Sequence, residues 1–230
     1  MPHTYKALAI LLSYPEAPVR DAVPAAMEIV RSEALLPEKL QRALTRLADE
    51  LSSGDPYALK ENYVQLFDRT RSLSLNLYEH VHGESRERGP AMVALRELYL
   101  AEGLELESSE LPDHLPVFLE FLSQLPAERS ASLLGEAVHV IEALGERLRR
   151  RSSPYRAVFG ALAALAGERA DQDALRALLD EPDDDPDDLE AVDRAWEEVP
   201  VSFGPESLSQ GVADGCPKAA AMVQHMKQGA

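Results

Sequence analysis

Apolar residues recur along this chain at helical spacing and almost nowhere at the spacing of two that marks a strand. Leu36, Leu40, Leu44, Leu47 and Leu51 step by four, four, three and four, and Gly54 follows as a stop. Leu134, Val138, Ile141, Leu144 and Leu148 repeat the pattern and run into Arg149, Arg150 and Arg151, cations that suit a helix C-terminus. Met92, Leu95, Leu98 and Tyr99 mark another helix ending near Gly103, and the Ala- and Leu-rich run 157–166 is a good helix former. Sustained alternation and Asn-Gly hairpin turns are missing, and β-branched clusters are few. Breaks fall at 14–18, 52–56, 82–90, 105–112 and 152–154. The expectation is an all-α fold: one bundle-like domain of about eight or nine helices over 1–180, then an acidic linker and C-terminal extension over 181–230. Within that extension 186–196, with Leu189, Val192 and Trp196 on one side, and 217–228 are expected to form short helices.

Charge narrows the range of functions. The 230 residues carry a formal net charge of −17, which disfavours nucleic acid and anionic lipid as partners. The charge is uneven: residues 171–230 hold 15 acidic against 4 basic side chains, and much of this sits in the run DEPDDDPDDLE at 180–190. Such a run is a solvated linker in its plainest reading, or a long-range lure for a basic peptide. The single cysteine, Cys216, rules out an intramolecular disulfide and any zinc site built on thiolates alone. The apolar run 7–12 is six residues long and stops at Ser13, Tyr14 and Pro15, too short for a secretory core of roughly 7–15 residues or a span of about 20. A soluble, cytoplasmic protein is expected.

Candidate chemistry concentrates in 63–122. In ELPDHLPVFLEFL, Pro112 precedes Asp113 and Pro116 opens a helix whose buried stripe is Leu115, Phe118, Leu119 and Leu122. Asp113 reads either as the N-cap of that helix or as part of a groove in which His114 makes a hydrogen bond. His80 and His82 suggest a metal, yet a third ligand is not evident, and the Asp-His order reverses the His-Asp doublet of metal-dependent phosphohydrolases. Phosphate-cradling glycine loops, a G-x-S-x-G elbow and an H-E-x-x-H pair are all missing, so an enzyme is the minority reading and no cofactor is expected. Tyr57, Tyr63, Phe67 and Tyr78 crowd four aromatics into 22 residues, with Tyr63 and Phe67 on one helical face. Such rings serve cores and peptide grooves alike.

Taken in order, Tyr63-Val64-x-x-Phe67-Asp68, Arg71-Ser72-Leu73-x-Leu75, His80 or His82 before Gly83-Glu84-Ser85-Arg86-x-Arg88-Gly89-x-Ala91-Met92, and Glu110-Leu111-Pro112-Asp113-His114-Leu115-Pro116 with Leu119-Glu120-Phe121 resemble the NarJ-type nitrate reductase molybdenum cofactor assembly chaperones, a branch of the TorD-like all-helical family. Leu11-Leu12-x-Tyr14-Pro15 also fits. The likeness is dense over 63–121; Glu84 stands where an Asp is more familiar, which keeps the charge. The resemblance implies a non-catalytic chaperone. It would bind the N-terminal segment of the apo catalytic subunit of respiratory nitrate reductase and hold it competent for iron–sulfur and molybdenum cofactor insertion before membrane docking, and it would be absent from the finished enzyme. The client segment would be an amphipathic, somewhat basic helix laid in an apolar groove. Tyr63, Phe67, Asp113 and His114 match motif positions, and Tyr78 and Phe118 join them from the residue pattern as candidate peptide contacts. A monomer or weak dimer is expected. The competing readings are a same-fold chaperone for another molybdoenzyme and a metal-dependent hydrolase using His80, His82, Asp113 and His114.

Overall fold

The structure is a computed structural model of the chain, and it describes residues 2–83, 85–106 and 110–180. The expected acidic linker and extension at 181–230, and Glu84 of the motif, lie outside the described residues. Among those described, eleven α-helices account for nearly all regular structure, joined by one π turn and one 3-10 turn, with no strand beyond an isolated bridge. The all-α expectation holds. The helices outnumber the eight or nine expected because short segments on either side of proline and glycine breaks fold as separate helices, such as Leu77–His82 and Leu115–Leu122.

The centre of the bundle is α1 (Thr4–Leu12). Its Tyr5, Ala7, Leu8, Ala9, Leu11 and Leu12 are all buried, so the apolar run that is too short for a membrane is the core helix instead. It packs against α2 (Ala17–Glu33), α7 (Leu115–Leu122) and α10 (Arg156–Leu165). Its start is tied down by Glu33, whose carboxylate accepts the amides of His3 and Thr4 at 2.8 Å each and the Thr4 hydroxyl at 2.6 Å. Burial alone would raise the Glu33 carboxyl, but these bonds from Thr4 and His3 hold it below its ordinary value.

Next, α3 (Glu38–Ser53) buries Leu44, Leu47, Ala48 and Leu51 against α2 and α10. The antiparallel neighbours α9 (Val138–Arg150) and α10 approach closely, since a methyl on Gly145 would sit 3.2 Å from the β-carbon of Phe159. The 3-10 turn Arg71–Leu73 lies against α9, and α8 (Ala127–Glu136) and α11 (Gln172–Asp180) complete the layer around it. After α3, α4 (Pro56–Tyr63) starts with Asp55 capping the Ala58 amide at 2.9 Å and runs into the π turn Val64–Asp68. The remaining helices, α5 (Leu77–His82) and α6 (Arg88–Ala101), pack on each other and form the side of the molecule where the motif residues converge.

Candidate functional site

Two distant segments meet in an isolated antiparallel bridge between Asn76 and His114. Leu115 donates its amide to the Leu75 carbonyl at 2.8 Å, and Leu77 donates to the Asp113 carbonyl at 3.1 Å. The bridge fixes where α5 and α7 begin, and it brings Tyr78, Asp113 and His114 together.

The capping expectation for Asp113 needs correction. The N-cap of α7 is His114, with no side-chain cap, and Asp113 lies outside the helix. The reason is a lack of donors: the Leu115 amide is engaged by Leu75, and Pro116 has no amide to give. Asp113 turns to the other helix instead, and its Oδ2 accepts the Tyr78 amide at 2.9 Å in the first turn of α5. Its side chain is fully buried, and Oδ1 has no hydrogen-bond donor. Burial raises its pKa, opposed by the Tyr78 bond and by the charge of Arg88.

His114 is half-buried. Its Nδ1 is buried without a hydrogen-bond partner, 3.9 Å from a carboxylate oxygen of Glu110. Burial lowers its pKa, while the charges of Glu110 and Asp68 act in the opposite direction. Asp68, in turn, is raised by burial and lowered by His114. Three titratable groups from two segments therefore share one electrostatic neighbourhood.

Around this centre, the Tyr99 hydroxyl donates to the Pro112 carbonyl at 2.6 Å and its ring lies 4.3 Å from that of Phe121. Arg88 pairs with Glu79 at 3.3 Å, joining the start of α6 to α5. The half-buried Tyr78 ring meets His82 edge-on at 5.5 Å. His80 directs Nε2 at the Ser74 carbonyl, 2.8 Å away, so that nitrogen donates to the backbone. Among the described residues, no three His, Cys, Asp or Glu side chains gather as a metal-ligand set.

Of the six residues expected to contact a peptide, the structure brings Tyr78, Asp113 and His114 together and leaves Tyr78 and His114 partly accessible. Tyr63, Phe67 and Phe118 lie in the core. The Tyr63 hydroxyl donates to the Leu12 carbonyl at 2.8 Å, satisfying the end of α1, and its ring meets Tyr14 and Tyr155 edge-on and Phe67 at a tilt. Val81 and Leu111, near the accessible pair in sequence, are also exposed; Leu111 is a motif position that the sequence reading did not single out as a contact, and Val81 has no place in that reading. A cleft of about 990 Å³ opens between α3, α9, α10 and α11, and none of the six residues lines it. Its walls include Gly145, where close helix packing favours a small residue, and its Glu146 is paired with Arg149 and Arg150. We therefore place the candidate site at the bridge, which holds two of the three buried polar atoms without a partner among the described residues, the third being the Tyr155 hydroxyl in the core ring cluster.

Two further features escaped the pattern of apolar residues. The segment Val64–Asp68 forms a π turn, closed by the Arg69 amide on the Val64 carbonyl at 2.9 Å, a geometry frequent near functional sites. Arg147 is fully buried and donates to the carbonyls of Ser72 at 2.7 Å and Leu178 at 2.5 Å. Its position on the stripe of Ile141, Leu144 and Leu148 was the available signal: a cation in a core register needs buried acceptors.

The arrangement is that of an all-helical domain, a fold found among solved structures. A crystal structure of an Archaeoglobus fulgidus protein described as a redox enzyme maturation protein superposes with a TM-score of 0.53, at 24% identity, over 71% of this chain and 91% of that one. The likeness in sequence is more specific. The family model for the nitrate reductase delta subunit matches residues 33–161. The nitrate reductase molybdenum cofactor assembly chaperone NarJ of Escherichia coli K12 is 40% identical over 194 residues, 84% of this chain and 81% of its own. NarW of the same strain is 35% identical over 198 residues, 86% of this chain and 82% of its own. This chain belongs to the nitrate reductase delta subunit family, whose relatives here are assembly chaperones rather than enzymes. No helix among the described residues is long and apolar enough to cross a membrane.

Proposed function

We propose that the protein is the assembly chaperone of a respiratory nitrate reductase, binding the N-terminal segment of the apo catalytic subunit at the face formed by Tyr78 and His114 over the buried Asp113. It keeps that subunit competent for molybdenum cofactor and iron–sulfur insertion, acts in the cytoplasm before membrane docking, and is absent from the finished enzyme. Residues 1–180 are the chaperone domain and 181–230 an acidic extension. The likeness to NarJ over most of both chains supports the client class. The observation that carries the location is the pair of buried polar atoms without partners, Asp113 Oδ1 and His114 Nδ1, at a bridge between two motif segments. A buried group left unmatched costs about 1–3 kcal/mol, so a bound segment that supplied a donor would recover that energy. Exposed Val81 and Leu111 would provide apolar contact for the peptide, while Tyr63, Phe67 and Phe118, buried in the core, would act on it only through the packing behind the face.

Release after assembly calls for moderate affinity, and a Kd near 1 μM corresponds to about −8 kcal/mol. The test is calorimetric titration with a ~20-residue peptide from the N-terminus of the cognate catalytic subunit, long enough for several helical turns. Binding that weakens in Tyr78→Ala and His114→Ala variants, with loss of nitrate reductase activity in a deletion strain, is the expected result. Absence of heat in buffers of different ionisation enthalpy, with full activity in the deletion strain, overturns the proposal. Preference for the leader peptide of another molybdoenzyme reassigns the client.

A further inference from the structure

A surface helix ordinarily turns a charged and polar face to solvent, whereas the solvent face of α6 is mostly apolar. Its inward side is held by only two fully buried residues, Leu95 and Tyr99. Its outward arc carries Gly89, Pro90, Val93, Ala94, Leu100 and Ala101, all exposed, with Val93 at 58% and Leu100 at 50% exposure. Val93 and Leu100 are two turns apart and share a face. The charges on this arc are Arg96 and Glu97, one of each sign, both exposed and lying between the two apolar side chains. A helix apolar on both sides needs a second cover.

We infer that the outer face of α6 is a self-association surface, on which the helix pairs antiparallel with α6 of a second copy across a two-fold axis centred between Arg96 and Glu97. In that register Val93 of one copy faces Leu100 of the other, and Arg96 faces Glu97 twice over. An isologous contact requires this kind of self-complementarity. The spacing of the four residues supplies it: Val93 and Leu100 lie symmetrically about the midpoint of an oppositely charged pair. The exposed Gly89, Pro90, Ala94 and Ala101 allow the two helices to approach closely. A single helix face buries less than the roughly 1,200 Å² of a standard interface, so the dimer is weak and transient.

The contact is independent of the client, and sedimentation velocity on the full chain tests it without client peptide. The measurement runs up to about 1 mM protein. It uses about 0.15 M salt, where a Debye length of about 8 Å limits repulsion between two chains of net charge −17. Concentration-dependent dimerisation is expected, weakened at least about tenfold by Arg96→Glu, equivalent to loss of one close charge pair per half-site, and restored in Arg96→Glu/Glu97→Arg. Both positions are exposed, and unchanged thermal melting verifies that the variants fold. A chain monomeric throughout, association indifferent to Arg96→Glu, or failure of the double exchange to restore it overturns the inference. So does a monomeric chain whose client-peptide binding is lost in Val93→Asp, which would give this face to the client.

Discussion

The carboxylate of Asp113 caps a helix to which it does not belong: Oδ2 accepts the Tyr78 amide at 2.9 Å across 35 residues of sequence. Asp113→Ala would leave that amide unmatched and cost about 1–3 kcal/mol of stability. Asp113→Asn keeps an acceptor at the same place and should lose distinctly less. The pH dependence separates them further. Burial raises the folded-state pKa above the ordinary 3.8, so ionisation weakens the fold as pH rises from 3.8 through the raised value. The Asn variant lacks that component. Urea unfolding of the three proteins across acid to neutral pH checks both points; equal losses for Ala and Asn would remove the cap from the explanation.

His114 carries the opposite dependence. Its folded-state pKa lies below 6.5 because burial disfavours the imidazolium, against the pull of Glu110 and Asp68. Stability from the neutral ring is complete above 6.5 and is lost as pH falls through the lowered value, since the unfolded chain takes up the proton first. Between about pH 7.5 and 5 the urea midpoint should fall further for the wild type than for His114→Gln. A midpoint that falls equally in both would show that other groups carry the acid sensitivity.

The sequence and the structure agree where a repeating pattern decides and part where a single contact does. Leu44, Leu47 and Leu51, or Ile141, Leu144 and Leu148, occupy the buried faces that spacing alone assigns. Tyr63 and Phe67 share a helical face as expected, but that face is inward, because the Tyr63 hydroxyl finds its acceptor on Leu12 at the end of the central helix. Motif membership marked Asp113 and His114, whereas the role of Asp113 depended on a bridge between 76 and 114 that no local pattern announces. Whether a carboxylate caps its own helix depends on which amides tertiary pairing has already taken. Helical periodicity carries no record of that.

Arg147 offers a sharper test of the core. Its guanidinium ties the turn at Ser72 to the last turn of α11 at Leu178, at full burial. Arg147→Ala removes donors from two buried carbonyls and should cost about 3 kcal/mol. Arg147→Lys keeps the charge but lacks the planar fork that reaches two acceptors at once, so it should recover only part of the loss. Hydrogen exchange would show the effect first in α11, whose one fully buried side chain is Leu178. Uniform loss of protection across the bundle, with α11 no worse than the rest, would contradict the tethering role.

Two helix ends carry strain that glycine would relieve. Ala34 follows α2 at φ 50°, and Ser152 follows the C-terminus of α9 at φ 54°, both in the left-handed region where a β-carbon crowds the backbone. The Ser152 amide reaches the Arg149 carbonyl and the Ser153 amide reaches Leu148, a closing turn that glycine most often occupies. For L residues the left-handed conformation costs roughly 1–2 kcal/mol. Glycine removes most of that cost but adds freedom to the unfolded chain, leaving a net gain of about 0.5–1 kcal/mol for Ser152→Gly. Ala34→Gly should gain a similar amount, since alanine has no side-chain hydrogen bond to lose. Ser152→Ala is the control, because it keeps the β-carbon and should give no gain. Thermal and urea unfolding of the three variants decide the matter: if Ser152→Ala stabilised as much as Ser152→Gly, the effect would come from the hydroxyl and not from the backbone.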